Sequence, residues 1–121
     1  MKVRIEPYTV EHLLALGADS NQAIVNQITG PAYTLMTDEK HPHILGCCGI
    51  RITGVAQAWA MPDPVAMKEH PILLARKARI AIDECLQEEK IYRCYAEASE
   101  GVDAKFFNHF GFRNSDRLYV R

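Results

Sequence analysis

Several features that mark other protein classes are missing from this chain of 121 residues. No run approaches the roughly 18 apolar residues of a membrane-spanning helix, and the opening MKVRIEPYTV lacks the apolar core of a secretory signal. Positive charge is not in excess, since the chain has 14 Lys and Arg residues and 15 Asp and Glu residues. We therefore expect a cytoplasmic protein with neither a membrane span nor a nucleic-acid partner.

Cysteine is present, but its pattern indicates neither disulfides nor a metal site. The four cysteines include no C-x-x-C pair, and two of them, Cys47 and Cys48, are adjacent in an apolar run. Adjacent residues of a strand point to opposite faces, so these two thiols cannot serve one metal together. The HPH sequence at 41–43 indicates a surface hairpin, because Pro42 fixes a turn. We predict reduced, buried thiols and no metal.

The chain does have the composition of one domain with one core. Hydrophobic residues make up 48% and charged residues 24%, which is ordinary for a domain of this length. No internal repeat or low-complexity segment divides it. We therefore expect residues 1–121 to form a single domain.

The first part of the chain predicts one strand and two helices. KVRIE alternates in polarity and is closed by Pro7, as in a strand. A helix over 10–18 follows, capped by Thr9, and a second helix over 20–29 ends at Gly30-Pro31. The predicted core faces are Leu13, Leu14 and Leu16 in the first helix, and Ala23, Ile24 and Ile28 in the second.

The remainder alternates between strands and helices. Extended stretches at 32–38, 43–52 and 54–61 predict antiparallel hairpins. A long helix over 71–89 begins at Pro71, and a helix between two strands predicts that those strands pair in parallel. Its predicted core face is Leu74, Ala78, Ala81, Ile82 and Cys85. The final elements are a strand at 91–99, a helix containing FFNHFGF, and a strand at 113–121.

The resulting order, β-α-α-β-β-β-α-β-α-β, predicts an α/β fold with a mixed, mostly antiparallel sheet flanked by helices. The chain resembles the GNAT superfamily of acyl-CoA-dependent N-acetyltransferases in this order, and most sharply in AKFFNHFGF, which is similar to the family's Ala-x-x-Phe-Tyr-x-x-Leu-Gly-Phe ending. Through GCCGIRITG and AQAWAM it further resembles a phage subgroup similar to an internal virion protein of short-tailed phages. The resemblance implies a GNAT-like fold, acetyl-CoA as cosubstrate and an amine acceptor.

The resemblance breaks at two places that matter for catalysis. The family's phosphate loop contains glycines, whereas the matching AMKEHPILLA contains none, and Pro71 removes a backbone donor. The tyrosine that commonly protonates the leaving thiolate corresponds to Phe107, which has no proton to give. Packing also explains this ring, because a helix stop at Gly111 would bring Phe107 against Phe112. Lining an acyl-CoA channel would be an additional role of Phe107.

The long helix supplies further candidate site residues. Arg76 and Lys77 lie in its first half, where the macrodipole favours anions, and have no acidic residue three or four positions away. Coenzyme phosphates would explain them, and the alternatives are solvated charges or pairing with a residue distant in sequence. By the resemblance, the backbone of Ala60 and Met61 orients the acyl group. Glu97, at the end of a strand, is the candidate general base.

Two functions therefore stay open from the sequence. One is a phage-type N-acetyltransferase with a degenerate phosphate loop, acting in the host cytoplasm. The other is a noncatalytic virion or assembly component that uses the same fold as a platform for a phage protein partner.

Overall fold

The computed structural model describes residues 1–53, 56–89, 95–97, 113–115 and 118–120, the last three segments as backbone. The strands in these segments are β1 Val3–Pro7, β2 Ala32–Thr37, β3 Ile44–Ile52, β4 Ala56–Pro62, β5 Tyr95–Glu97, β6 Arg113–Ser115 and β7 Leu118–Val120. The helices are α1 Val10–Ala15, α2 Ser20–Ile28, α3 Pro64–Glu69 and α4 Pro71–Glu88.

The described strands form one mixed sheet in the order β1-β2-β3-β4-β5-β7-β6. All neighbours pair antiparallel except β4 and β5, which are parallel and are joined through α3 and α4, as the sequence predicts. The prediction of one last strand over 113–121 is wrong, because β6 and β7 are separate strands that pair with each other. The polar run Asn114-Ser115-Asp116 interrupts the apolar alternation there.

Helices cover both faces of the sheet. One core lies between the sheet and α4, where Leu74, Ala78, Ala81, Ile82 and Cys85 are buried as predicted. The other lies beneath α1 and α2 and contains Tyr8, Leu13, Ala23 and Cys47. The adjacent thiols divide between the two, since Cys48 belongs to the first core and Cys47 to the second. The prediction that these thiols are buried, unbridged and on opposite faces is confirmed.

Helix α1 is shorter than predicted because a left-handed glycine stops it. Thr9 caps its start as predicted, and the Thr9 N–H donates to Nδ1 of His12 at 3.3 Å. At its end Gly17 has φ of 91°, and its N–H donates to the Leu14 carbonyl while the Ala18 N–H donates to that of Leu13. This pair of bonds is a Schellman stop. The predicted core face is correct for Leu13, which is fully buried, but wrong for Leu14, which is 41% exposed.

Helix α2 has the predicted extent but is rotated relative to the predicted core face. Ala23 is buried as predicted, whereas Ile24 is 47% and Ile28 75% exposed. Asn26 takes the inward position instead, at 1% exposure, where its Oδ1 accepts a hydrogen bond from Arg51 at 2.7 Å. Counting apolar residues could not anticipate this, because the polar side chain is accommodated only by a partner on β3.

Helix α3 was not predicted from the sequence. Asp63 caps it by accepting from the Ala66 N–H at 3.1 Å, and Pro64 occupies its first position. Only His70 separates it from α4, which begins at Pro71 as predicted. The stretch that the sequence matches to a glycine-rich phosphate loop is therefore largely helical.

Candidate functional site

Within the described residues, β4 and β5 are paired in parallel at a single position. Gln57 of β4 pairs with Tyr95 of β5. The next position in this parallel register would pair Trp59 with Glu97, and both residues lie within their strands, yet they are not paired. Strand β4 also continues beyond the level of Glu97 to Pro62. Trp59 and Glu97 thus mark a gap in the pairing at the carboxyl ends of two parallel strands, where ligands of open sheets bind.

The backbone of Ala60 faces this gap. The Asp63 N–H donates to the Leu45 carbonyl of β3 at 2.7 Å, and hydrogen-bonded and non-hydrogen-bonded pairs alternate along an antiparallel ladder. Met61 is therefore hydrogen-bonded to Cys47 of β3, whereas the Ala60 N–H and C=O point away from β3. Of the two predicted backbone positions, the geometry brings Ala60 to the gap and turns Met61 toward β3.

A small apolar cavity of about 20 Å³ lies beside the end of β4, between the sheet and the helices α3 and α4. Its lining includes Gly46, Ala60, Pro62, Met67 and Leu74. It has room for about one water-sized group but offers almost no polar atom to hold a water. The cavity therefore gives an apolar surface beside Ala60, whose N–H points away from β3.

The start of α4 lies directly after α3, and two of its backbone N–H groups have no backbone partner among the described residues. His70 at the cap position makes no side-chain capping bond, and Pro71 has no N–H. The first N–H groups of a helix have no intrahelical partner, so those of Ile72 and Leu73 remain available, while the Leu74 N–H donates to the His70 carbonyl. This end of α4 is therefore able to donate to an anion.

Arg76 and Lys77 lie one turn further along α4. Arg76 is exposed and Lys77 is half-buried, and neither forms an ion pair within the described part of the chain. Arg79, in contrast, lies 4.0 Å from Asp83, as its spacing predicts. Since side chains of a helix tilt toward its N-terminus, Arg76 and Lys77 lean toward the unpaired donors of Ile72 and Leu73.

The remaining predicted site residues are placed less completely. Glu97 is the last residue of β5, and its backbone lies at the level where the two strands part. Phe107, with the rest of the predicted FFNHFGF helix, lies outside the described residues. Within those residues no group of three or more His, Cys, Asp and Glu side chains could hold a metal, and no helix is long and apolar enough to cross a membrane.

The fold was compared with solved structures. It matches that of the toxin AtaT, carrying a tyrosine-to-phenylalanine mutation and bound to the C-terminus of the antitoxin AtaR and acetyl-CoA. The TM-score is 0.59 at 14% identity, over 100% of this chain and 93% of that chain. The fold is GNAT-like. The α/β fold predicted from the sequence is thereby confirmed, whereas the resemblance to a phage subgroup stays a prediction.

Sequence comparison gives no match. No protein-family model matches this chain, and no curated protein matches it. The GNAT-like assignment therefore rests on the fold, and the sequence departs from the family pattern where α3 and α4 meet.

The GNAT-like fold also contains a polar cluster that the sequence did not reveal. On the α1 side of the sheet, Nδ1 of His12 lies 2.8 Å from Oγ1 of Thr34, which lies 3.5 Å from Sγ of Cys47. Because His12 Nδ1 accepts from the Thr9 N–H, the neutral ring carries its proton on Nε2. Thr34 and Cys47 belong to different strands, so no spacing in the sequence signals this cluster. Met61 lies beside it in the register, paired with Cys47.

Burial makes the thiols of this GNAT-like fold poor acids. It raises the pKa of Cys47 to about 11, although the hydrogen bond with Thr34 acts in the opposite direction. Burial is also the main reason that the pKa of Cys85 rises to about 12 and that the pKa of Cys48 rises further. The hydroxyl of Tyr8, which donates to the Ala23 carbonyl at 2.7 Å, has its pKa raised to about 12, again mainly by burial. At neutral pH none of these groups is a nucleophilic anion.

We expect the protein to lose stability as the pH rises from about 9 to 11. In that window an unfolded thiol ionises near its ordinary pKa of 9.0, whereas native Cys47 keeps its proton until about 11. The native state then binds more protons than the unfolded state, so the free energy of unfolding falls with rising pH. Urea midpoints at pH 8 and pH 10.5 measure this. The decrease in urea midpoint between these two pH values should be smaller in Cys47→Ala than in the wild-type chain. Equal wild-type midpoints at both pH values would contradict the raised pKa of Cys47.

Proposed function

We propose that this chain binds acetyl-CoA in the gap between β4 and β5 and transfers the acetyl group to an amine. The observation that carries the proposal is that the Ala60 N–H points away from β3, toward the gap in the pairing of β4 with β5, beside an apolar surface. A thioester needs a donor for its carbonyl oxygen and an apolar surface for its methyl group. The AtaT structure, which shares this fold, contains acetyl-CoA.

In the proposed reaction the amine nitrogen attacks the thioester carbonyl carbon, and the carbon–sulfur bond then breaks. The Ala60 N–H donates to the carbonyl oxygen, where negative charge develops in the transition state. Glu97 is the proposed acceptor of the proton that the amine loses. The acetyl group stays on nitrogen, and coenzyme A leaves as the thiolate. In this proposal Phe107 lines the channel and supplies no proton to that thiolate. We therefore expect the protein to bind acetyl-CoA but to transfer the acetyl group slowly.

The phosphates of the coenzyme are proposed to lie at the start of α4. This end of the helix has two backbone donors, at Ile72 and Leu73, and two cations, Arg76 and Lys77, for which the described part of the chain supplies no partner. Anions are stabilised at a helix N-terminus by such donors and by the macrodipole. Glu69, the last residue of α3, opposes this attraction, so we expect modest affinity for the coenzyme.

A thermal shift with acetyl-CoA tests the proposal. At a hundredfold excess over the dissociation constant, binding should stabilise the protein by about 2.7 kcal/mol and raise its melting temperature accordingly. Ala60→Pro removes the N–H that points away from β3, and should weaken binding at least tenfold. Ala60→Ser keeps the N–H and is the matched control. Arg76→Ala with Lys77→Ala should also remove the shift, whereas Arg79→Ala should retain it.

The outcomes separate binding from chemistry. Release of free coenzyme A in the presence of an amine acceptor would establish transfer, and Phe107→Tyr should then increase the rate. A melting temperature that neither acetyl-CoA nor a longer acyl-CoA raises would refute the proposal. An equal loss of binding in Ala60→Pro and Ala60→Ser would show that the side chain, and not the N–H, contacts the ligand.

A second candidate is a noncatalytic phage virion or assembly component. One observation favours it, namely that α3 occupies the stretch where the sequence resemblance expects a glycine-rich phosphate loop. Under this proposal the GNAT-like fold is a platform for a phage protein partner, as AtaT has a protein partner in the C-terminus of AtaR. The same thermal shift decides between the two, because a platform of this kind needs no acyl-CoA.

A further inference from the structure

Three side-chain donors beneath α1 and α2 are buried without an acceptor. They are Nδ2 of Asn26, Nε of Arg51 and Nε1 of Trp59, and none of them has a hydrogen-bond partner within the described residues. Asn26 is only 1% exposed, so bulk water does not reach its amide. Because a buried donor without a partner costs free energy, an acceptor that served several of these donors would stabilise the fold.

These donors are neighbours on one face of the sheet. Nη2 of Arg51 donates to Oδ1 of Asn26 at 2.7 Å. Arg51 pairs with Gln57 in the register of β3 with β4, and Trp59 is the next residue of β4 on the same face. Such diagonal positions are about 7–8 Å apart, which is within the reach of long side chains. We call Asn26, Arg51 and Trp59 the donor cluster.

The chemistry of the donor cluster favours an anion over a water molecule. All three atoms without a partner are N–H donors. A water that accepted from them would bring two O–H groups that need acceptors of their own, whereas an anion only accepts. Arg51 is half-buried and forms no ion pair within the described part of the chain. No charged residue occurs from 20 to 37, the segment that contains α2 and β2, so the guanidinium charge favours a negative partner.

We propose that the donor cluster binds a small anion of a single negative charge, such as chloride or formate. One guanidinium balances one negative charge, and the amide and indole N–H groups complete the hydrogen bonds to the anion. The anion must be small because the three donor atoms are buried. Arg51 is followed by Ile52, which is 39% exposed, so this end of β3 gives the anion a short path from solvent.

The melting temperature in different sodium salts tests the proposal. Chloride and formate should raise it by about 3 °C or more relative to gluconate, an anion too large for the donor cluster, and the gain should saturate with concentration. Equal ionic strength in all three salts keeps general screening constant. Trp59 is the only tryptophan of the chain, so its fluorescence should change with the same midpoint. Equal melting temperatures in the three salts would overturn the proposal, as would a stabilisation that leaves the fluorescence unchanged.

Two substitutions test the residues of the donor cluster. Asn26→Asp brings a carboxylate to Arg51 in place of the anion, so chloride and formate should no longer stabilise the chain. Trp59→Phe keeps a ring against Tyr8, whose centroid lies 5.8 Å away, and removes the Nε1–H. The dissociation constant for chloride should then rise by about tenfold or more. An anion effect that is unchanged in either variant would contradict the proposal.

Arg76→Ala with Lys77→Ala is the matched control. These cations lie on α4, which covers the opposite face of the sheet, and belong to the proposed coenzyme site. The stabilisation by chloride should persist in this variant. Its loss would place the anion at the start of α4 and so overturn the assignment to the donor cluster. No acyl-CoA is used, so the outcome is independent of the proposed acetyl transfer.

Discussion

Of the glycine-to-alanine changes in the described part of the chain, Gly30→Ala should be the most destabilising. A Cβ built at Gly30 would lie 2.0 Å from the carbonyl oxygen of Ile50 and 3.1 Å from its carbonyl carbon. Both atoms belong to the backbone of β3, which cannot retreat because the Ile50 N–H donates to Pro31 at 3.0 Å and the Ile52 N–H to Thr29 at 2.8 Å. We expect a loss of more than about 4 kcal/mol, a large part of the stability of an ordinary domain.

Gly46→Ala is the matched control for that measurement. Its Cβ would meet Pro62 Cα at 3.0 Å and the Met61 carbonyl oxygen at 3.2 Å, contacts that shifts of a few tenths of an ångström relieve. Urea midpoints of the two variants should therefore differ widely, with Gly30→Ala losing far more. Equal losses would mean that the junction between α2 and β2 is able to yield, and that the close approach of Gly30 to β3 does not limit the fold.

Arg51→Met should cost about 1–3 kcal/mol, because it leaves the Asn26 side chain buried without a partner for Oδ1. Arg51 is half-buried and supplies the 2.7 Å hydrogen bond to Asn26, whose Nδ2 is buried and has no partner among the described residues. Methionine keeps most of the length of the side chain and removes its donors. The urea midpoint measures the loss, and far-ultraviolet circular dichroism verifies that α2 persists.

The double variant Asn26→Leu with Arg51→Met makes the prediction specific. Replacing both partners by apolar side chains of similar size removes the unpaired polar group, so the double variant should be more stable than Arg51→Met alone. The two changes should therefore be strongly non-additive. A double variant that loses the sum of the single losses would show that the pair does not orient α2.

The sequence predicts those elements in which local pattern and tertiary contacts agree. In α4 the apolar residues recur at helical spacing and face a sheet, so the predicted face is the buried one. In α2 the same reasoning is wrong for Ile24 and Ile28, because the hydrogen bond between Asn26 and Arg51 joins residues 25 positions apart. Counting apolar positions along a helix cannot detect a hydrogen bond between residues so far apart in the sequence.

The candidate site, too, was predictable from the sequence only in part. The resemblance indicated Ala60, and the direction of its N–H, away from β3, follows from the register between β3 and β4, which no sequence pattern specifies. Helix α3 was missed although Asp63-Pro64 is a recognisable helix start, because proline on both sides of Asp63 indicated a break. The contact between His12 and Thr34 was also not predicted, because the two residues are 22 positions apart in the sequence.

The division of Cys47 and Cys48 between the two cores has a consequence for how the protein opens. A thiol reagent reaches Cys47 only when α1 and α2 move away from the sheet, and Cys48 only when α4 does. The two neighbouring thiols are thus separate reporters of the opposite layers. Equal labelling rates at both would indicate that the layers open in one cooperative event, and unequal rates would rank the layers by their local stability.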